Sequence, residues 1–251
     1  MRNRKRAGQT VIPRLNSLGQ PVGPEVPHWN PPPAPPRGPL QGRLCRVEPL
    51  SAGRHADALF DAYALDAEGR MWTYLFTGPF ATRQSCREWL EQAAASGDPL
   101  FYAIVDTASG KAAGVASYMR IDRANGCIEI GHLAFSPLLQ RTPAATEAMY
   151  LMMKRAFELG YRRCEWKCDA LNAPSRAAAQ RLGFAFEGMF RQAVVYKGRS
   201  RDTAWYSVID REWPVLRDAF ERWLAPGNFD ARGAQKTRLS ALTAAALAQR
   251  G

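Results

Sequence analysis

The chain of 251 residues is poor in cysteine, with five in all, an odd number. They lack the paired spacing of a metal knuckle and the framework of a disulfide-stapled domain. Cys164 and Cys168, in CEWKCDA, stand an even number of steps apart and so share one face of a strand. They read as reduced core thiols, and no metal is expected. Long apolar runs are missing too: nothing approaches the roughly 18 residues of a membrane span. The N-terminal stretch MRNRKRAGQTVIPRLNSLGQ carries charge but no apolar core for a signal peptide. A cytoplasmic protein without membrane contact is expected. Acidic residues are in deficit, 23 against 34 lysines and arginines, for a net charge of +11. A nucleic-acid binder would carry that excess on its folded body. Here residues 1–40 hold six basic residues against Glu25, and residues 225–251 hold four against Asp230, which leaves only +3 between them. No strand set interleaves aromatic and basic residues either, so the pattern argues against a nucleic-acid partner.

What is present falls into three parts. Ten of the 18 prolines lie in residues 1–40, densest in PHWNPPPAPPRGPL. That segment favours extended polyproline geometry and cannot build a core; it is expected to be loose or to lie across the body, anchored by Trp29. Residues 225–251 form a basic, Ala-rich tail with helical potential and little apolar bulk. Residues 41–224 are expected to form one domain.

Within it, patterning predicts a strand at 42–50, helices at 52–63 and 81–96, and antiparallel strands in PLFYAIVD and AAGVASYMRID joined by TASGK. A fourth strand follows at 126–137, then a helix at about 143–159 and a fifth strand at 162–170. A helix at 173–183, a closing hairpin and the helix PVLRDAFERWL complete the domain. The fold class is α+β, a mixed and largely antiparallel sheet with one central β-α-β crossover.

Four segments carry chemistry. Gln140, Arg141, Thr142, Pro143, Ala144 and Ala145 form a polar turn between the fourth strand and the next helix. They are either an ordinary helix start with proline in its first turn, or a socket whose backbone N–H groups receive a phosphate. NAPSRAAAQRLGF (172–184) opens another helix, with Asn172 a natural cap and Ser175 three residues on. In CIEIGHLAF, Glu129 and His132 are candidate proton acceptors for an amine nucleophile. On strict alternation they point to opposite faces, so both reach one cleft only if a bulge intervenes, near Gly131. LGFAFEGMFRQ (182–192) is a structural passage ending a helix and entering the sheet.

Together, in this order, the four segments resemble the GNAT acyltransferase superfamily over nearly all of residues 42–212. The likeness is greatest to the ribosomal-protein N-terminal acetyltransferase (RimJ/RimL-like) branch. The resemblance implies a V-shaped cleft between the fourth and fifth strands. It also implies acetyl-CoA as cosubstrate, with its pyrophosphate at Gln140, Arg141, Thr142, Ala144 and Ala145. Leu133 and Phe135 would offer main-chain donors along the acyl arm, and Asn172 and Ser175 would contact the coenzyme. Catalysis would be direct attack by a primary amine through a tetrahedral intermediate, with Glu129 or His132 as base and Ser175 bonding the leaving thiolate. The acceptor would be a small-molecule amine or a protein N-terminus, with Trp72, Tyr74 and Phe76 walling its slot, in a monomer or homodimer. Two departures keep a non-catalytic coenzyme-binding module open as the alternative. Pro143 stands where the family has glycine and lacks an N–H, and Ala179 stands where some relatives carry a tyrosine.

Overall fold

The computed structural model describes residues 14–248. Arg2, Arg4, Lys5, Arg6 and Arg250, counted above among the basic ends, lie outside that range. A two-stranded ribbon, β1 (Arg14–Leu15) and β2 (Pro21–Val22), precedes the body. Then come β3 (Leu40–Gln41), β4 (Cys45–Pro49), α1 (Ala52–Ala64) and α2 (Arg83–Ala95). The long strands β5 (Leu100–Asp106), β6 (Ala112–Asp122) and β7 (Cys127–Phe135) follow. The crossover is α3 (Pro143–Glu158) into β8 (Arg163–Asp169). The chain ends through α4 (Ala173–Arg181), β9 (Ala185–Tyr196), β10 (Arg199–Ile209), α5 (Trp213–Leu224) and α6 (Leu239–Ala248).

Strands β3 to β10 make one sheet in the order β3-β4-β5-β6-β7-β8-β10-β9. Every neighbouring pair is antiparallel except β7 and β8, the two strands joined through α3. A parallel pair requires a crossover, and α3 supplies it. One face packs on α3, α4 and α5, with Met152, Met153, Tyr118, Ile128 and Phe220 fully enclosed. The other packs on α1 and α2 through Leu59, Leu90, Phe101 and Val115. Helix starts follow the expected chemistry. Thr82 and Ser85 form a reciprocal capping box on α2, and Thr142 caps α3 with Pro143 in its first turn.

Helix α3 is locked to β4 by a buried carboxylate. Glu147 accepts backbone N–H bonds from Arg43 (3.0 Å), Leu44 (2.6 Å) and Cys45 (2.9 Å). Gly42 makes room for it, since a Cβ there would sit 2.3 Å from the Glu147 Oε2.

Residues 29–37 cross the body as an extended strap. The Trp29 indole N–H donates to Ala124 O (3.0 Å), and its ring lies against Gly126 with the Arg162 guanidinium over it at 5.3 Å. The Tyr102 and Tyr161 hydroxyls donate to the carbonyls of Pro36 and Pro33. At the other end α6 packs on α5 and α4. Leu239 is enclosed in the core, and the Thr243 Oγ1 donates to Arg181 O (3.1 Å).

Candidate active site

Strands β7 and β8 pair only at Cys127–Arg163, Ile128–Cys164 and Glu129–Glu165, and then part. The parting opens a cleft of about 1520 Å³. That exceeds the several hundred Å³ of a typical small-ligand pocket, so it has room for two reactants. On its other edge β7 slips in register against β6: Val115 faces Ala134, while Ser117 faces Gly131. One extra β7 residue is therefore accommodated, a bulge with His132 in the left-handed region at φ 50°. This is the bulge that alternation required, and it lets both Glu129 and His132 line the cleft. Gly131 leaves room beside it for the Met119 side chain, whose Sδ would lie 2.6 Å from a Cβ there.

The two residues differ in what they offer. The His132 ring stacks on Trp89 (5.4 Å, 18°) and meets Phe101 edge-on (5.0 Å). Its Nε2 is buried without a partner, and burial pushes its pKa down to about 4. Its setting is an aromatic nest that holds the bulge. Glu129 is 2 % exposed, and its Oε2 receives Arg120 Nη1 (2.7 Å) and Lys167 Nζ (3.0 Å). Lys167 is also held by Glu165 (2.6 Å). Among the described residues the Glu129 Oε1 has no hydrogen-bond partner.

One end of the cleft lies between two helix starts. The turn before α3 is fastened to β7 by Gln140, whose Nε2 donates to Phe135 O (2.7 Å). Arg141 takes a left-handed φ of 62°. The Thr142 Oγ1 donates to Leu139 O (2.7 Å) and accepts from Ala145 N (3.1 Å), while Thr142 N donates to Leu139 O (3.3 Å). The set of open backbone donors expected at this turn is thereby reduced. Thr142 and Ala145 spend theirs on the cap, and Arg141 and Ala144 keep theirs. Ala144 does not line the main cleft; it faces a smaller cavity beside Arg43, Leu44 and Thr107. At the second start, the Asn172 Oδ1 accepts from Ser175 N (3.1 Å). The Ser175 Oγ accepts from the Trp166 indole N–H (3.0 Å), and its hydroxyl also lies beside the Cys168 thiol, to which it can donate. Leu133, Phe135, Asn172 and Ser175 all line the cleft.

At the opposite end the aromatic expectation divides. Tyr74 and Phe76 line the cleft, the Tyr74 hydroxyl donating to Leu171 O (3.2 Å). Trp72 does not. It is 3 % exposed and wedged between Tyr63 and Phe80 beneath Gly78, so it is core under the loop. Nearby, Tyr206 is enclosed in the core, and Glu187 pairs with Arg163 and accepts from Ser207. Tyr196 stands against Phe76 and donates to Asp169 Oδ2 (2.8 Å); burial, aided by that bond, pushes its pKa up to about 12. Arg191 does not line the cleft.

The family model described as "Acetyltransferase (GNAT) domain" matches residues 45–185. The chain belongs to the GNAT acetyltransferase family. Among solved structures it is similar to a GCN5-related N-acetyltransferase from Brucella melitensis, 52% identical with a TM-score of 0.86, covering 87% of this chain and 100% of that one. A Chromobacterium violaceum protein described as a GNAT-family acetyltransferase is 44% identical with a TM-score of 0.72, covering 78% of this chain and 98% of that one. Among curated proteins it is 30% identical over 105 residues to YdaF of Bacillus subtilis, named as a candidate ribosomal N-acetyltransferase. That match spans 41% of this chain and 57% of YdaF, less than two thirds of the relative's length. The mixed, mostly antiparallel sheet flanked by helices is the GNAT fold, and the family's general activity is acetyl-CoA-dependent N-acetylation.

The family match stops at residue 185, so β9, β10, α5 and α6 lie beyond it. The cleft does not stop there. Arg201, Thr203 and Trp205 from β10, and Arg238, Leu239 and Ser240 from the start of α6, all line it. Arg120, Lys167 and Arg181 line it from within the matched region. The Arg181 Nη1 donates to Thr146 Oγ1 (3.1 Å), and burial lowers its pKa. None of these residues was singled out from the sequence. A single basic residue within a strand carries no local signature, and only the strand register assembles them.

Proposed function

We propose that the protein transfers an acetyl group from acetyl-CoA to a primary amine by direct attack, the amine entering from the Tyr74–Phe76 side and the coenzyme from the α3–α4 side. The observation that carries this reading is the parting of β7 and β8 immediately after Glu129. It leaves a buried carboxylate with one uncommitted oxygen between two helix starts and an aromatic wall. The coenzyme fits the first half for chemical reasons. Arg141 keeps its N–H beside the positive end of α3, and Arg141, Arg181 and Arg238 line the same cleft with no carboxylate partner among the described residues. Pro143 costs one N–H but presets the helix start, so its replacement of glycine does not abolish the socket.

In this reading the Glu129 Oε1 accepts a proton of the incoming amine, directly or through a water. Arg120 and Lys167 orient the carboxylate, and the need for a neutral nucleophile is met at that atom. Backbone N–H groups of β7 around Leu133 and Phe135 stabilise the developing oxyanion. Ser175 donates its hydroxyl hydrogen to the leaving sulfur. His132 serves by its conformation: its left-handed backbone makes the bulge that turns Glu129 and the Leu133–Phe135 edge into one cleft. YdaF's name, at 30% identity, supports a ribosomal-protein N-terminus among the acceptors to be tried.

The test is acetyl-CoA-dependent release of free CoA thiol with a panel of amines and peptide N-termini, together with calorimetric binding of CoA. Thiol release that depends on the amine is the expected result. Tight CoA binding without any release would instead favour a coenzyme-binding module, and no binding at all would remove the coenzyme from the account.

A further inference from the structure

Strand β10 carries a row of buried hydrogen-bond donors that nothing among the described residues satisfies. Arg201, Thr203 and Trp205 alternate along it and so share a face, and Thr203 and Trp205 stand opposite Asp169 and Lys167 of β8. Arg201 is 8 % exposed and Thr203 5 %. The Arg201 Nε, the Thr203 Oγ1 and the Trp205 Nε1 are all buried without a partner among the described residues. Arg201 touches the faces of Phe76 (5.5 Å) and Tyr196 (5.8 Å), yet no carboxylate among the described residues lies within 4 Å of it. The acidic groups nearby are already engaged. Asp169 accepts from Tyr196 and from Leu171 N, and Asp202 accepts from Gln192 N. Glu129 and Glu165 are committed to Lys167, Arg120 and Arg163.

Buried polar groups in native proteins nearly always have partners, and a buried guanidinium without a counter-ion is costly. Three such donors side by side in a cleft await oxygen acceptors that arrive from outside. We infer that Arg201, Thr203 and Trp205 form a carboxylate-binding subsite, and that the acceptor is a primary amine bearing a carboxylate, held against the Phe76 and Tyr196 rings. This rests on the acetyl-transfer reading and names its acceptor class. A monoanion fits better than a phosphate dianion. Arg201 is the single uncompensated cation of the strip, and a second negative charge would face Asp169 and Glu129 unbalanced. Arginine's planar fork also matches a carboxylate in bidentate geometry.

The experiment pairs amines that differ only in that charge. Free amino acids are set against their amino amides, and peptides with aspartate or glutamate at position two against the asparagine or glutamine versions. The first arm reports a free amino acid, the second an acidic protein N-terminus. For each pair, kcat/KM for thiol release and the Kd for the full-length, CoA-saturated protein are measured. The carboxylate member of at least one pair is expected to be favoured by about tenfold or more, as for a charge-assisted bond to a buried donor. Arg201→Gln should bring that ratio to within about threefold, Arg201→Lys should keep part of it, and Thr203→Val should lower it less. The Lys and Val variants decide the matter if the Gln variant does not fold. Turnover with no preference in any pair, or a preference that survives in R201Q, overturns the subsite and leaves acetyl transfer standing. An Arg201-dependent binding preference without turnover sinks acetyl transfer and keeps the subsite. Neither turnover nor preferential binding sinks both.

Discussion

The two halves of the cleft are built on opposite principles. The half proposed for the coenzyme is built at two helix starts flanked by Arg141, Arg181 and Arg238, and most of the capping groups of those starts are spoken for: Thr142 accepts from Ala145 N, Asn172 from Ser175 N, and Gln140 holds Phe135. The half proposed for the acceptor is made of long charged and aromatic side chains on strands, and several of those lack partners among the described residues. A half that is satisfied before its ligand arrives is preorganised for one invariant ligand. A half with unpaired buried donors is costly on its own and rewards one class of guest. The first suits a cosubstrate common to a whole family, and the second suits the substrate that distinguishes its members.

The largest effect should come from the residue on the border between the halves. Glu129→Gln is expected to lower kcat/KM by about 10²- to 10⁴-fold, the usual weight of a positioned proton acceptor. The fold should survive, because Lys167 retains its 2.6 Å contact with Glu165. The discriminating readout is the pH profile. If Glu129 takes the amine proton, the acid limb of kcat/KM should move with the substitution. An unchanged limb would reduce Glu129 to a counter-ion for Arg120 and Lys167.

Next in size is a stability effect at His132, which tests whether the bulge joining the halves is scaffold or chemistry. Burial takes its pKa down to about 4, so the unfolded chain binds a proton that the folded chain refuses. The neutral form's contribution is complete above about pH 6.5 and is lost as pH falls toward 4, by roughly 3 kcal/mol in all. Asparagine tolerates the left-handed conformation and does not titrate there. Denaturant midpoints of the wild type should therefore fall between pH 7 and pH 4.5 more steeply than those of His132→Asn. Parallel curves would mean that the ring is not desolvated.

The same contrast explains what the sequence could disclose. The two helix starts were legible because they are local: Gln140 to Ala145 and Asn172 to Ser175 are contiguous stretches whose cap and turn chemistry can be read directly. Most helices and strands were legible for the same reason, through periodicity over seven to sixteen residues. The acceptor half was not, because Arg120, Lys167 and Arg201 meet only through pairing of strands far apart in sequence. Trp72 shows the converse error. An aromatic beside Tyr74 and Phe76 was read as a cleft wall, yet the 3₁₀ turn at Arg70–Trp72 turns it into the core. The C-terminal segment was read as a tail because its alanines offer little bulk. Two buried side chains, Leu239 and Thr243, nevertheless dock it beside the cleft.

On the coenzyme side, Ala145→Asp asks whether the helix start receives an anion. Ala145 lines the cleft at the third position of α3, where the helix dipole favours an acidic residue, but it is only 8 % exposed, so the Kd is read alongside the variant's melting temperature. A carboxylate beside a bound diphosphate should raise the Kd for CoA by about thirtyfold, with the effect shrinking at high salt. An unchanged Kd would show that the coenzyme does not use this turn.

The smallest effect should belong to Ser175, because its hydroxyl adds one hydrogen bond to a half already preorganised by backbone. Its Oγ is anchored by the Trp166 N–H at 3.0 Å, which fixes the oxygen beside the Cys168 thiol and the cleft. Bonding to a thiolate matters only as the carbon–sulfur bond breaks, which places the effect on kcat and not on coenzyme affinity. Ser175→Ala should therefore lower kcat by about tenfold, the worth of one hydrogen bond to a charged group, with the Kd for CoA within about twofold of wild type. Ser175→Cys gives the second arm, since a thiol is a weaker donor in the same place and should fall between the two. A loss seen equally in kcat and coenzyme binding would mean that Ser175 supports the α4 start through Asn172 and Trp166. The leaving group would then depart without help from this side chain.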